Sequence, residues 1–121
     1  AKLSAKKIVD EARDDAVEAS LLQVWSQFKS DSLRKATYGA LLDRLVKEGI
    51  RELGITDATV HVRDEDRTLV SGYRLAMLPN ECCGGAILES ANGRIRVSKT
   101  LEEVFAQKKG DIRKQIYDKL F

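Results

Sequence analysis

The chain is short of the residues that staple, kink or span. Among 121 residues stand one proline (Pro79), one histidine (His61) and two cysteines, and aromatics make up 6%. The cysteines, Cys82 and Cys83, are neighbours, so they cannot bridge distant parts of a fold; a disulfide framework is excluded and a reducing compartment is the default. No apolar run approaches the roughly 20 residues that cross a bilayer. The first residues alternate charged and small side chains without the apolar stretch of a signal peptide, so any work at a membrane is expected to go through another protein. Charge of one sign is missing too. Residues 1–60 carry 10 basic and 10 acidic side chains, residues 61–121 carry 11 and 9, and the net charge is +2. A strongly cationic nucleic-acid arm is therefore excluded. What remains is a highly charged soluble mixture, 33% charged and 43% apolar, long enough to bury roughly two-thirds of its unfolded surface without a staple.

The first segment predicts one long helix from about Ser4 to Phe28. Ala5, Val9, Ala12, Ala16 and Ala19 fall at alternating four- and three-residue steps, a narrow coiled-coil seam. At Leu21 the pattern widens: Leu21, Leu22, Val24, Trp25 and Phe28 make a broad apolar stripe. A rod over residues 1–20 thus leads into a head over residues 21–121. Lys29 to Ser32 break the pattern, with Asp31 or Ser32 as N-cap of a second helix. That helix carries Tyr38, Leu41, Leu42, Leu45, Val46, Ile50 and Leu53 on one face and ends at Gly54 as a left-handed cap. Ala58 to Arg63 alternate as a strand that Asp64, Glu65 and Asp66 end.

Between Arg67 and Pro79 two readings compete: a short helix from Leu69-Val70, or a strand over Tyr73 to Leu78. Gly84-Gly85 then opens the strand Ala86 to Ser90. Asn92-Gly93 predicts a type I′ turn, and Arg94 to Ser98 return as the partner strand. Thr100-Leu101-Glu102-Glu103 is a capping box for a final helix that Gly110 is expected to bend or divide. The fold class is α+β: a long coiled-coil-like helix, then a compact domain with a small mixed sheet packed by helices.

Chemistry is thinly supported. His61 has no second histidine and no serine elbow, which leaves a nucleophilic triad without its parts. Asp64, Glu65 and Asp66 offer Mg²⁺ oxygen ligands, but clustered acids at a strand end commonly form a solvated turn. Cys82-Cys83 lacks the C-x-x-C spacing of zinc or thiol-exchange sites, and Gly84-Gly85 lacks the Lys-Ser/Thr of a phosphate loop. Residues 94–121 hold 8 basic side chains against 4 acidic, a +4 stretch able to touch phosphates but without interleaved aromatics for base stacking. Neither a metal nor a cofactor is called for, and a rod feeding a compact head has the shape of an assembly part.

Residues Cys83 to Val97 resemble the E subunit of the V-type and A-type rotary ATPases: a double glycine, an apolar strand (Ala86 to Ser90), an N-G turn (Asn92-Gly93) and an R-I-R-V strand (Arg94 to Val97). Thr100-Leu101-Glu102 matches the family's next element, and Ile112-Arg113-Lys114-Gln115-Ile116-Tyr117 resembles its ending. Upstream, Tyr38, Leu41-Leu42, Leu45-Val46, Glu48-Gly49-Ile50 and Leu53 are similar to its central helix, and Val60 to Arg63 with Asp66 to the strand after it. The likeness runs from about Ala12 to Tyr117 and is clearest in the C-terminal domain. Lys99 stands in place of the family's Asn, and Glu103-Val104 in place of its Ala-Arg. The stretch from Asp66 to Pro79 is shorter than in the family, as is the N-terminal helix.

The resemblance implies a non-catalytic stator subunit of a proton-translocating ATPase, on the cytoplasmic side of a membrane and attached only through the complex. Its helix would pair with the G subunit and its head would hold the catalytic A/B headpiece against rotor torque. The match places partner binding at Gly84, Gly85, Asn92, Gly93, Arg94, Arg96, Thr100 and Arg113. Cys82-Cys83 and Arg113-Lys114 incline the reading towards the vacuolar type. Two rivals from other classes are a nucleic-acid-binding module using the +4 stretch and a metal-dependent enzyme built on Asp64 and Asp66; the stator reading expects no nucleic acid.

Overall fold

A computed structural model describes residues 2–55 and 57–121. Its elements are α1 (Lys2–Ser32), α2 (Lys35–Leu53), β1 (Ala58–Val62), a 3-10 helix (Asp64–Leu69), β2 (Arg74–Met77), β3 (Gly85–Ser90), β4 (Arg96–Thr100) and α3 (Leu101–Leu120). The α+β expectation holds. The strands form one mixed sheet in the order β2-β1-β3-β4, with β1 parallel to β2, and β3 antiparallel to both β1 and β4.

Two apolar cores result. One lies between α2 and a face of the sheet. Tyr38, Leu42, Val46 and Leu53 recur at helical spacing and meet Val60, Val62, Ala86 and Leu88, which recur every second residue. Gly49 lets α2 lie close to the sheet, because a Cβ there would collide with the Leu88 side chain. The other core lies between α1 and α3: Val17, Leu21 and Phe105 are buried, with Trp25, Phe28, Ile112 and Ile116 packed against them. The Phe105 ring centroid lies 5.1 Å from that of Trp25 and 5.6 Å from that of Phe28. Further along, Arg113 pairs with Glu18 and Tyr117 with Arg13, so α1 and α3 run antiparallel. At ~1.5 Å per residue the 31 residues of α1 extend roughly 46 Å.

Several local expectations change. The first helix does not stop at Lys29; it runs on to Ser32. Arg34 is the N-cap of α2 and makes no side-chain capping bond. Asp31 is already engaged by Gln27 Nε2 at 2.9 Å and Arg34 at 3.1 Å, which diverts it from the cap. Gly54 does close α2 in the left-handed region (φ 75°), donating its N–H to the Ile50 carbonyl. The strand reading of 73–78 prevails as β2, while Leu69 ends a 3-10 turn instead of opening a helix.

The hairpin β3–β4 forms, but not through a type I′ turn: Gly93 alone has positive φ (72°), and β4 starts at Arg96. Gly93 N–H bonds the Ser90 carbonyl, while Asn92 Oδ1 accepts from Arg94 N–H at 3.0 Å, a side-chain bond that holds the longer loop. Half of the capping box is made. Thr100 Oγ1 accepts from Glu103 N–H at 3.2 Å, whereas the carboxylate that reaches back belongs to Glu102, on Cys83 N–H at 2.7 Å. Gly110 does not divide α3, which continues to Leu120 with Phe105 and Ile112 packed on α1 either side of it.

Candidate partner-binding surface

The eight residues singled out from the sequence do not form one surface. They lie at opposite ends of β3 and on α3. At ~3.4 Å per residue, the six residues of β3 separate its ends by about 17 Å. At the end near the helices stand Gly84, Gly85 and Thr100. Gly85 has φ 85°, and a Cβ there would meet the Lys99 carbonyl and lie 2.8 Å from Thr100 Cα. A Cβ on Gly84 would sit 3.0 Å from Leu33 Cδ2, and 3.2 Å from both Leu101 Cδ1 and Tyr38 Oη. Thr100 is buried and caps α3. These three are held by backbone geometry and packing.

At the far end Asn92, Gly93, Arg94 and Arg96 are exposed together at the hairpin tip. The tip also exposes Ile95 (52%), and Ile55 borders a cleft of about 470 Å³ shared with Ala91 and Asn92. The sequence places Ile95 inside the partner strand Arg94 to Ser98, whereas β4 starts at Arg96 and leaves Ile95 in the loop. Arg113 lies elsewhere, paired with Glu18 of α1. The basic C-terminal stretch is not one face either. Lys99 is buried with its Nζ 2.6 Å from Glu52, and Arg96 lies 3.4 Å from Glu89 Oε2.

The alanine seam of α1 is free in the structure. Arg13, Val17, Leu21, Val24 and Phe28 face α3, whereas Ala5, Val9, Ala12, Ala16 and Ala19 are all exposed. At 3.6 residues per turn the two stripes are about a third of a turn apart. Ile8 (66% exposed) and Leu22 (69%) flank the seam. Isolated apolar side chains on a surface are ordinary; a row of them along one helix face is the geometry that takes another helix.

A buried polar chain that the sequence reading missed joins the head to the helices. Asp66, 2% exposed, accepts from Arg63 Nε at 2.7 Å, from Arg63 Nη2 at 2.9 Å and from the Tyr38 hydroxyl at 2.9 Å. The same hydroxyl accepts from Gly85 N–H at 2.9 Å. Arg63 Nη1 reaches the Cys83 carbonyl at 3.3 Å, and Cys83 N–H donates to Glu102. Burial pushes the Tyr38 phenol up to about 12, the Asp66 carboxylate adding to the rise. Asp66 is thus committed to Arg63 and Tyr38, so the carboxylate of the metal-enzyme reading is spent on structure. The one sequence signal for this was Arg63 and Asp66 at i, i+3.

The thiols are poor nucleophiles. Both cysteines are free and half-buried; burial and the Glu102 carboxylate push Cys83 up to about 12, and burial raises Cys82. Burial alone would raise Glu102, but the Cys83 thiol and amide beside it outweigh that and hold it below the usual carboxylate range. His61 is half-buried, its Nε2 3.6 Å from Glu89 Oε2 and its Nδ1 3.4 Å from the Met77 carbonyl. Among the described residues its polar contacts are that carboxylate and that carbonyl oxygen.

The family of the ATP synthase (E/31 kDa) subunit matches over residues 72–121. The E subunit of the A-type ATP synthase of Methanobrevibacter smithii is 27% identical over 139 residues, covering 100% of this chain and 67% of the relative. That of Methanothermobacter thermautotrophicus is 24% identical, covering 99% and 66%. The E subunit numbered 3 of the A-type ATP synthase of Methanospirillum hungatei is 26% identical, covering 88% and 58%. The chain spans about two thirds of the length of the first two relatives and less of the third. No helix of the described residues is long and apolar enough to cross a membrane. In residues 72–121 by the family match, and over nearly all of the chain by its relatives, this protein is similar to the E subunit of the rotary ATPases.

Proposed function

We propose that the chain is a non-catalytic stator subunit in the peripheral stalk of a rotary ATPase. In this reading α1 pairs with a helix of a second stalk component, the G subunit, and the head docks on the catalytic A/B headpiece. The complex couples ATP chemistry to ion movement, with the proton as the ion, at the cytoplasmic side of a membrane. The three relatives are archaeal and of A-type, so the reading moves away from the vacuolar inclination of Cys82-Cys83 and Arg113-Lys114.

The observation that carries the proposal is the exposed seam Ala5, Val9, Ala12, Ala16 and Ala19, turned away from α3. Alanine at the seam positions buries little surface, so two copies of α1 would bind each other weakly, and larger apolar residues from a different helix fill the space better. The hairpin tip, with Arg94, Ile95 and Arg96 exposed, is the part of the head assigned to the headpiece. Its test is a pull-down of an A/B headpiece. Arg96→Glu keeps the circular dichroism spectrum of the wild type and captures less headpiece; equal capture removes the tip from the interface.

A further inference from the structure

The two apolar cores share no residue: Tyr38 to Leu88 belong to α2 and the sheet, and Val17, Leu21 and Phe105 to the α1/α3 pair, so the sheet-bearing part of the head is narrower than residues 21–121. Between them lies a small joint. Gly84 sits at its centre, enclosed by Leu33 from the α1–α2 turn, Leu101 from the start of α3 and the Tyr38 hydroxyl from α2. Around this pivot the polar chain described above crosses from body to body. It begins with Asp66 and Arg63 in the head, passes through the Cys83 carbonyl and amide, and ends on Glu102 in the first turn of α3.

We infer that this joint sets the angle between the α1/α3 pair and the unit of α2 and the sheet, with the Cys83–Glu102 bond as the latch across it. Apolar contacts alone tolerate sliding, because hydrophobic attraction has no preferred direction. Directional bonds do not. The Cys83 amide is bound by a carboxylate that is itself held in α3, and the Gly85 amide by a hydroxyl fixed on α2. Rotation of the α1/α3 pair would break the Cys83–Glu102 bond and leave a part-buried amide and a carboxylate without each other. Small shifts therefore cost more than they would in an apolar hinge. The joint has one preferred setting and behaves as a rigid corner.

The inference concerns the isolated chain and stands or falls apart from the stalk reading. Its test is a set of backbone residual dipolar couplings on weakly aligned, nitrogen-15-labelled full chain, comparing the alignment of α3 with that of the sheet. In the wild type one alignment tensor is expected to fit both bodies. In Glu102→Ala, which removes the latch from a half-exposed position, the α1/α3 pair is expected to need a second tensor, smaller in magnitude than that of the sheet. Glu102→Gln keeps an acceptor for the Cys83 amide and is expected to restore the single tensor. Tyr38→Phe removes bonds made only within the unit of α2 and the sheet, and is expected to keep the single tensor. Two tensors in the wild type, a single unchanged tensor in Glu102→Ala, or a Glu102→Gln variant as loose as Glu102→Ala would each overturn the inference.

Discussion

The Tyr38 hydroxyl donates to Asp66 at 2.9 Å while accepting the Gly85 amide at 2.9 Å, so one oxygen ties the second helix, the turn after β1 and the start of β3 together. Tyr38→Phe keeps the ring, and with it the stacking of Arg63 at 4.8 Å, but leaves the Gly85 amide without its acceptor. The expected loss is about 1–3 kcal/mol, the desolvation penalty of an unsatisfied buried group, read as a lower urea midpoint at unchanged slope. A midpoint equal to the wild type would mean the hydroxyl is dispensable.

Alkaline pH acts on the same joint. Tyr38 and Cys83 are both raised to about 12 in the folded chain, from ordinary values of 10.0 and 9.0. A raised folded value means that the native state holds the proton more tightly than the unfolded state. The stabilisation is complete below the unfolded values and is lost as pH climbs through 9.0 and 10.0 towards about 12. Thermal unfolding should therefore show a falling midpoint over that interval. In the double variant Tyr38→Phe, Cys83→Ser the fall should be shallower, and an equal slope would contradict the assignment.

Gly85 offers a steric test. Its φ of 85° is one that side chains adopt at a cost, and an added Cβ would strike the backbone of Lys99 and Thr100. Gly85→Ala is expected to cost at least about 2 kcal/mol, from backbone strain and overpacking together. Gly54→Ala has positive φ but open space around it, so it should cost less by roughly the overpacking part. Equal losses in the two variants would remove the steric argument at β3.

Much of the architecture was legible in the sequence, because periodicity carries it. The spacing of Tyr38, Leu42, Leu45, Val46 and Leu53 defines α2, and Ala58 to Val62 alternate as the strand they cover. What escaped was local competition between side chains. Asp31 looks like a cap in isolation, but Gln27 and Arg34 occupy it. Asn92-Gly93 looks like a two-residue turn, but Ser90 and Asn92 bond each other at 2.7 Å and build a longer loop. Gly110 costs a helix about 1 kcal/mol, which the contacts of Phe105 and Ile112 with α1 offset.

Of the candidate surface less was legible. Motif matching grouped Gly84, Gly85 and Thr100 with Arg94 and Arg96, yet a strand's length separates them, and the first three serve the backbone. Lys99 sits at a core position of β4, where it meets Glu52 of α2; counting charges along the chain could not reveal that pairing. The seam of α1, by contrast, was visible as a row of alanines. The fold adds that α3 leaves it exposed.

The central claim is that this seam receives a helix from another protein. The most direct measurement is the affinity of a G-subunit helix for the chain, compared between the wild type and Ala16→Glu. Position 16 faces solvent in the isolated chain, so the substitution should leave the unfolding midpoint within a few degrees of the wild type. Placing an unpaired charge in the helix–helix seam should weaken the complex by tenfold or more, an effect on the order of 1.4 kcal/mol. Unchanged affinity, or no complex with the wild type at all, would contradict the account.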